Sequence, residues 1–146
     1  MLLIPDHFKL LSSKTPVNRK IKQTLGYNIP SPIAAMDKVK ENQIKIIEEA
    51  YTKVGQENQV LVIPVGIAFD LAYKEKPHIK LHKSDGTHPN LLGTYLAACT
   101  VFASIYDKSP IGIEYDYYGA ISKKDRIFLQ KIAHQATSIY LETNLN

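Results

Sequence analysis

Apolar positions along the chain switch between helical and strand-like spacing, and the order of the switches sketches an architecture. From Ala34, the series Met36, Val39, Gln43, Ile47, Ala50 and Val54, with Ile46 and Tyr51 beside it, recurs at steps of three and four. That spacing predicts an amphipathic helix, with Gly55 as its stop. Val60-Leu61-Val62-Ile63 is a continuous apolar run closed by Pro64, the pattern of a strand buried on both faces of a parallel sheet. Ile67 to Tyr73 suits a short helix, and Lys74 to Gly86 reads as a polar loop. Pro89 fits the first position of another helix, where its missing N–H costs nothing. The segment from Asn90 to Tyr106 is apolar around nearly its whole circumference and is expected to be buried on most sides. Ser109-Pro110-Ile111-Gly112 breaks it, and Ser122-Lys123-Lys124-Asp125 has the form of a capping box opening a last helix through Phe128, Ile132, Ala136, Ile139 and Tyr140.

Before these elements the pattern is irregular. Leu2-Leu3-Ile4, stopped by Pro5, reads as the end of a buried strand, and Asp6 to Ile33 carries Pro16, Gly26, Pro30 and Pro32 with no stable period. A segment of that length suits a substrate-side lid or a poorly ordered arm. A strand between helices predicts an α/β layer, and no internal repeat or low-complexity tract interrupts it.

Composition adds bounds. At 146 residues, 45% hydrophobic and 22% charged, the chain fits one globular domain. Its net charge of +4 comes from 18 basic residues spread between Lys9 and Lys131, the densest group being Arg19-Lys20-Ile21-Lys22. Without a basic stripe or interleaved stacking aromatics, no nucleic-acid partner is expected. Cys99 is the only thiol, so no intrachain disulfide can form, and its apolar surroundings mark a small core residue. The start lacks the basic and apolar regions of a signal peptide, and no apolar run reaches the roughly 18 residues of a membrane span. The default expectation is a cytoplasmic protein with no membrane association.

Chemistry concentrates in Asp85-Gly86-Thr87-His88-Pro89. A carboxylate and an imidazole three residues apart in a turn can meet without long-range folding, so Asp85 is expected to accept Nδ1–H of His88 and leave Nε2 as a base. The bland alternative is a helix cap beside a surface histidine. His78, His82, Asp85 and His88 crowd one loop and are all permissible zinc ligands, although no helical i, i+4 pair carries a glutamate between them. Tyr115-Asp116-Tyr117-Tyr118 either closes the rim of a core or forms the adhesive surface of a non-catalytic interaction protein.

The loop does not stand alone. Pro64-Val65-Gly66-Ile67-Ala68, then Asp85-Gly86-Thr87-His88-Pro89-Asn90, then Gly93-Thr94-Tyr95-Leu96-Ala97-Ala98 together resemble the C-terminal block of the SGNH (GDSL-type) hydrolases. The resemblance continues through Ser109-Pro110-Ile111-Gly112 and Leu129-Gln130-Lys131-Ile132-Ala133, and so covers Ala34 to Tyr140. It implies the C-terminal half of a flavodoxin-like three-layer α/β/α domain with a parallel sheet. It also implies Asp85 as triad acid, His88 as general base, carbohydrate or small acyl esters as substrates, and no metal or organic cofactor. The family's nucleophile is a serine in a Gly-Asp-Ser-like turn after the first strand, with a glycine and an asparagine completing the oxyanion hole. Here none of Ser12, Ser13, Ser31, Ser84, Ser104, Ser109, Ser122 or Ser138 follows a Gly-Asp pair, and no Gly-x-Asn turn precedes Asp85. The expectation is therefore a single, incomplete domain over 1–146, with a strand end and irregular loop over 1–33 and the α/β portion over 34–146. Such a chain would be practically inactive alone and would self-associate through an exposed sheet edge.

Overall fold

The computed structural model describes residues 2–4 and 41–144, in the order β1 (Leu2–Ile4), α1 (Glu41–Asn58), β2 (Leu61–Ile63), α2 (Val65–Glu75), α3 (Leu91–Tyr106) and α4 (Lys123–Asn144). The irregular Asp6 to Ile33 segment, the Arg19 to Lys22 cluster and the expected helix start at Ala34 lie outside the described residues. Among the described residues no helix is long and apolar enough to cross a membrane.

The expected fold class is overturned. The two strands pair antiparallel, with Leu2 opposite Ile63, Leu3 opposite Val62 and Ile4 opposite Leu61, and the rest of the described architecture is helical. No parallel sheet and no flavodoxin-like three-layer α/β/α arrangement is present among the described residues. Val60, Val62 and Ile63 of the apolar run before Pro64 are indeed deeply buried, with Leu61 half-buried between them. What the run could not specify is what covers it: α1 and α3 pack against β2, and helices satisfy an apolar strand as well as neighbouring strands do. The parallel-sheet edge expected to drive self-association goes with the sheet.

Helix α4 packs on both α2 and α3 and closes the core. Leu129, Ile132, Ala133, Ala136 and Tyr140 recur at helical spacing and are all buried, in one cluster with Ala68, Phe69 and Ala72 of α2 and Leu96 and Cys99 of α3. Each fully buried Phe, Leu or Ile here contributes roughly 1.5–3 kcal/mol. Helix α3 is covered as its composition requires, with only Thr94, Ala98 and Tyr106 exposed. Thr100 lies wholly inside, its hydroxyl donating to Leu96 O at 2.9 Å, and burial pushes the Cys99 thiol up to about 11, which keeps it protonated and inert. At the start of α4 Ser122 is the cap, Asp125 N–H donating to Ser122 Oγ at 3.1 Å, but the carboxylate returns to the Ser122 hydroxyl, which donates to Asp125 Oδ2 at 2.8 Å, rather than to a backbone N–H as in a full capping box. Lys76, at the end of α2, reaches Asp125 Oδ1 at 2.9 Å, and this bond, ahead of that from Ser122, holds the carboxyl below its usual range.

Gly55 is not the stop of α1. The helix runs through it to Asn58, and a Cβ at Gly55 would fall 2.4 Å from Val62 Cγ2, so the glycine serves the close approach of α1 to β2. The stop lies four residues on. Gln59 is left-handed (φ 52°), its N–H donates to Gln56 O and that of Val60 to Gly55 O at 3.0 Å, a Schellman termination. Glycine enters this conformation without a Cβ penalty, so Gln59→Gly should stabilise the fold by about 0.5–1 kcal/mol after its extra unfolded-state entropy is counted. Thermal denaturation checks this, and an unchanged or lower Tm contradicts it.

Candidate functional site

The Asp/His loop is a tight excursion pinned at both ends. Ile79 and Leu81 anchor its entry in the core. His82 and Pro89 form an antiparallel bridge, Lys83 N–H donates to His88 O at 2.8 Å, and Asn90 N–H donates to Leu81 O at 2.9 Å. Inside the excursion Gly86 takes a left-handed φ of 66°, allowing its N–H to reach Lys83 O at 3.0 Å. Pro89 lies just outside α3 rather than in its first turn. Asn90 is the N-cap, its Oδ1 accepting from Gly93 N–H at 3.1 Å, and its Nδ2 donates to Lys80 O at 2.8 Å and His82 O at 3.3 Å. One side chain thus starts the helix and clamps the loop.

Within this frame Asp85 and His88 meet. Asp85 Oδ1 accepts the N–H groups of Thr87 and His88, each at 2.9 Å, and Oδ2 lies 2.9 Å from His88 Nδ1. The backbone N–H of His88, followed by that of Thr87 and the imidazole bond, holds the Asp85 carboxyl far below the ordinary carboxylate range. An ionised carboxylate has no proton to give, so Nδ1 is the donor and the neutral ring carries its free lone pair on Nε2. The pair is open to water, with side-chain exposures of 70% for His88 and 48% for Asp85. An oriented, accessible imidazole base is what this arrangement supplies.

The other loop donors do not join it. His82 is buried, bonded through Nδ1 to the Tyr73 hydroxyl at 2.6 Å and packed against the Phe69 and Tyr73 rings, whereas His78 is exposed. Among the described residues no three His, Cys, Asp or Glu side chains gather closely enough to hold a metal ion. Nor does a described serine hydroxyl bond to His88: Ser104 donates to Thr100 O, Ser109 accepts from Ile111 N–H and Ser122 caps α4. Ser12, Ser13 and Ser31 lie outside the described residues. An open groove of about 830 Å³ runs beside the loop along Tyr73, Pro77, Lys80, His82 and Ser84, without including Asp85 or His88.

Two structural residues escaped the sequence reading. Gly93 belongs to the motif block, yet its reason is steric: a Cβ there would lie 2.2 Å from Leu81 O. Gln130, only 2% exposed, anchors the loop before α4 through Gly112, Ile113 and Tyr95. Its signal was available, since a glutamine adjoining the apolar stripe of Leu129, Ile132 and Ala133 has to find partners. Comparison with known proteins finds no matching family model, no similar curated protein and no matching solved structure.

Proposed function

We propose that Asp85 and His88 are the orienting acid and general base of an SGNH-type ester-hydrolysing site acting on carbohydrate or small acyl esters. The observation that carries this reading is the carboxylate held ionised by two backbone N–H groups, bonded to Nδ1 of an imidazole whose side chain is largely open to solvent. Ester cleavage by such a pair starts when Nε2 takes the proton of a serine hydroxyl. Asp85 then offsets the imidazolium charge, and the proton passes to the leaving alcohol as the acyl-enzyme forms. The helical fold lends this reading no support; it stands on the loop geometry and the three motif blocks. With no serine behind a Gly-Asp pair in the 146 residues, the nucleophile and oxyanion donors have to come from elsewhere. Loss of a triad nucleophile costs on the order of 10⁶ in turnover, so the chain alone should show no saturable turnover of p-nitrophenyl acetate, only the slow non-saturating reaction of an exposed imidazole with an activated ester.

The decisive experiment joins the chain to the polypeptide encoded immediately upstream. If that segment supplies a strand followed by Gly-Asp-Ser, the joined protein should cleave p-nitrophenyl acetate, and His88→Ala should lower the rate roughly 10²–10⁴-fold. An upstream segment without that serine, or activity indifferent to His88→Ala, overturns the proposal.

A further inference from the structure

The loop between α3 and α4 presents three tyrosines that the Asp85/His88 site does not use. Tyr115, Tyr117 and Tyr118 are 52%, 51% and 91% exposed, so they do not close the rim of the core. Their ring centroids form a near-equilateral triangle, 6.3 Å between Tyr115 and Tyr117 and 6.0 Å for each pair containing Tyr118. Every pair of planes is steep, at 73°, 79° and 66°. The backbone beneath is unusual: Tyr117, Tyr118 and Gly119 are all left-handed, with φ of 57°, 57° and 80°. Residues with a Cβ are crowded in that region, and strained positions of this kind concentrate where a binding surface is being shaped. The turn is nonetheless fixed: Asp116 accepts Gly119 N–H on Oδ1 at 2.8 Å and Ile121 N–H on its carbonyl at 3.0 Å, and the Tyr95 hydroxyl donates to Tyr115 O at 2.9 Å.

Shape and charge narrow the ligand. Nucleobases and sugar rings stack on a flat face, which three steeply inclined rings do not offer, so a compact, rounded group fits better. Glu114 and Asp116 place two carboxylates in the same turn against one guanidinium, that of Arg126, which donates to Glu114 O, and the only cation seated over an aromatic ring among the described residues is Lys76, over Phe128. The Tyr115 phenol is held above its ordinary value by desolvation and then by Tyr118, Tyr117 and Asp116. The centre of the triangle is too near the rings for a methylated ammonium, but a group seated above it, between the three inclined faces, is within the ~6 Å reach of a cation–π contact to all three rings at once. A bare ammonium holds its water tightly, whereas a methylated one carries its charge on an apolar surface. We propose that Tyr115, Tyr117 and Tyr118 form a recognition site for a trimethylammonium group, borne by a free small molecule or by a modified lysine.

The test follows tyrosine resonances by NMR while the full chain is titrated with choline, with Nε-trimethyllysine, and with 3,3-dimethyl-1-butanol, the uncharged counterpart of choline. At least one cationic probe should bind saturably and roughly 10-fold more tightly than the alcohol, and the tighter of the two identifies the source of the group. Tyr118→Ala should weaken that binding about 5-fold or more, while Tyr118→Phe retains it. With its side chain in solvent, the Ala variant should melt with the wild type, so its loss of binding is readable as loss of a ring. Equal affinity for the alcohol, or binding unchanged by Tyr118→Ala, overturns the assignment. Neither result depends on Asp85 or His88.

Discussion

Gly93→Ala should destabilise the protein by about 3 kcal/mol, a drop of roughly 10 °C in Tm for a domain of this size. The sign is informative, because alanine is the better helix former by about 1 kcal/mol and would raise stability at an unencumbered position in α3. Here the added Cβ would meet Leu81 O at 2.2 Å, Leu81 C at 3.1 Å and the Phe69 ring at 3.2 Å. Two of these are backbone atoms, and the carbonyl is pinned as the acceptor of Asn90 N–H. No rotamer change relieves the overlap, so α3 has to move off the segment that carries the Asp/His loop, opening contacts around Phe69 and Leu96. The internal bonds from Asp85 to Thr87 and His88 span only three residues and should survive that movement, leaving an intact pair in a displaced position. Thermal denaturation of the variant settles it: a Tm at or above that of the wild type refutes the steric account.

How far this could be read from sequence depended on the range of each interaction. The span of α3, the α4 stripe and its Ser122 to Asp125 cap were legible because periodicity and capping are written within a few residues. The bond between Asp85 and His88 was legible for the same reason. Long-range facts were not. Val60 to Ile63 announces burial but not whether strands or helices provide it, and its antiparallel partner Leu2–Ile4 lies over 50 positions away in the chain. Gly55 carries the signature of a helix stop, and only the proximity of Val62 turns it into a packing residue. His82 is indistinguishable in sequence from His78, yet Tyr73 and Phe69 draw one into the core and leave the other in water. A nucleophile brought in from a distant part of a fold would be a long-range fact too, so the loop by itself carries only the proposed acid and base.

Replacing Gln130 should produce the other large effect, and its pH dependence identifies the cause. Gln130 Oε1 accepts Gly112 N–H at 3.1 Å, while Nε2 donates to Ile113 O at 2.7 Å and to the Tyr95 hydroxyl at 2.9 Å. Burial holds the Tyr95 phenol above its ordinary value, so its hydroxyl remains available to donate to Tyr115 O. Gln130→Leu fills the space with apolar atoms and strands a donor and an acceptor of the loop, for a loss of about 2–3 kcal/mol at any pH between 5 and 8. Gln130→Glu preserves the acceptor for Gly112 but sets a second carboxylate oxygen against Ile113 O in a nearly dry site. Burial raises the folded-state pKa of that carboxyl above its unfolded value, and Arg126, one helical turn before it on α4, offsets only part of that rise. The protonated form is then favoured in the folded state, so stability is fullest below the unfolded pKa and is lost as pH rises through the folded one. Gln130→Glu should therefore be more damaged than Gln130→Leu at pH 8 and recover toward wild type near pH 5, where the protonated carboxyl can donate to Ile113 O. Tm measured across that range for both variants gives the answer: a flat difference between them would mean that the site is wetter than its hydrogen bonds require.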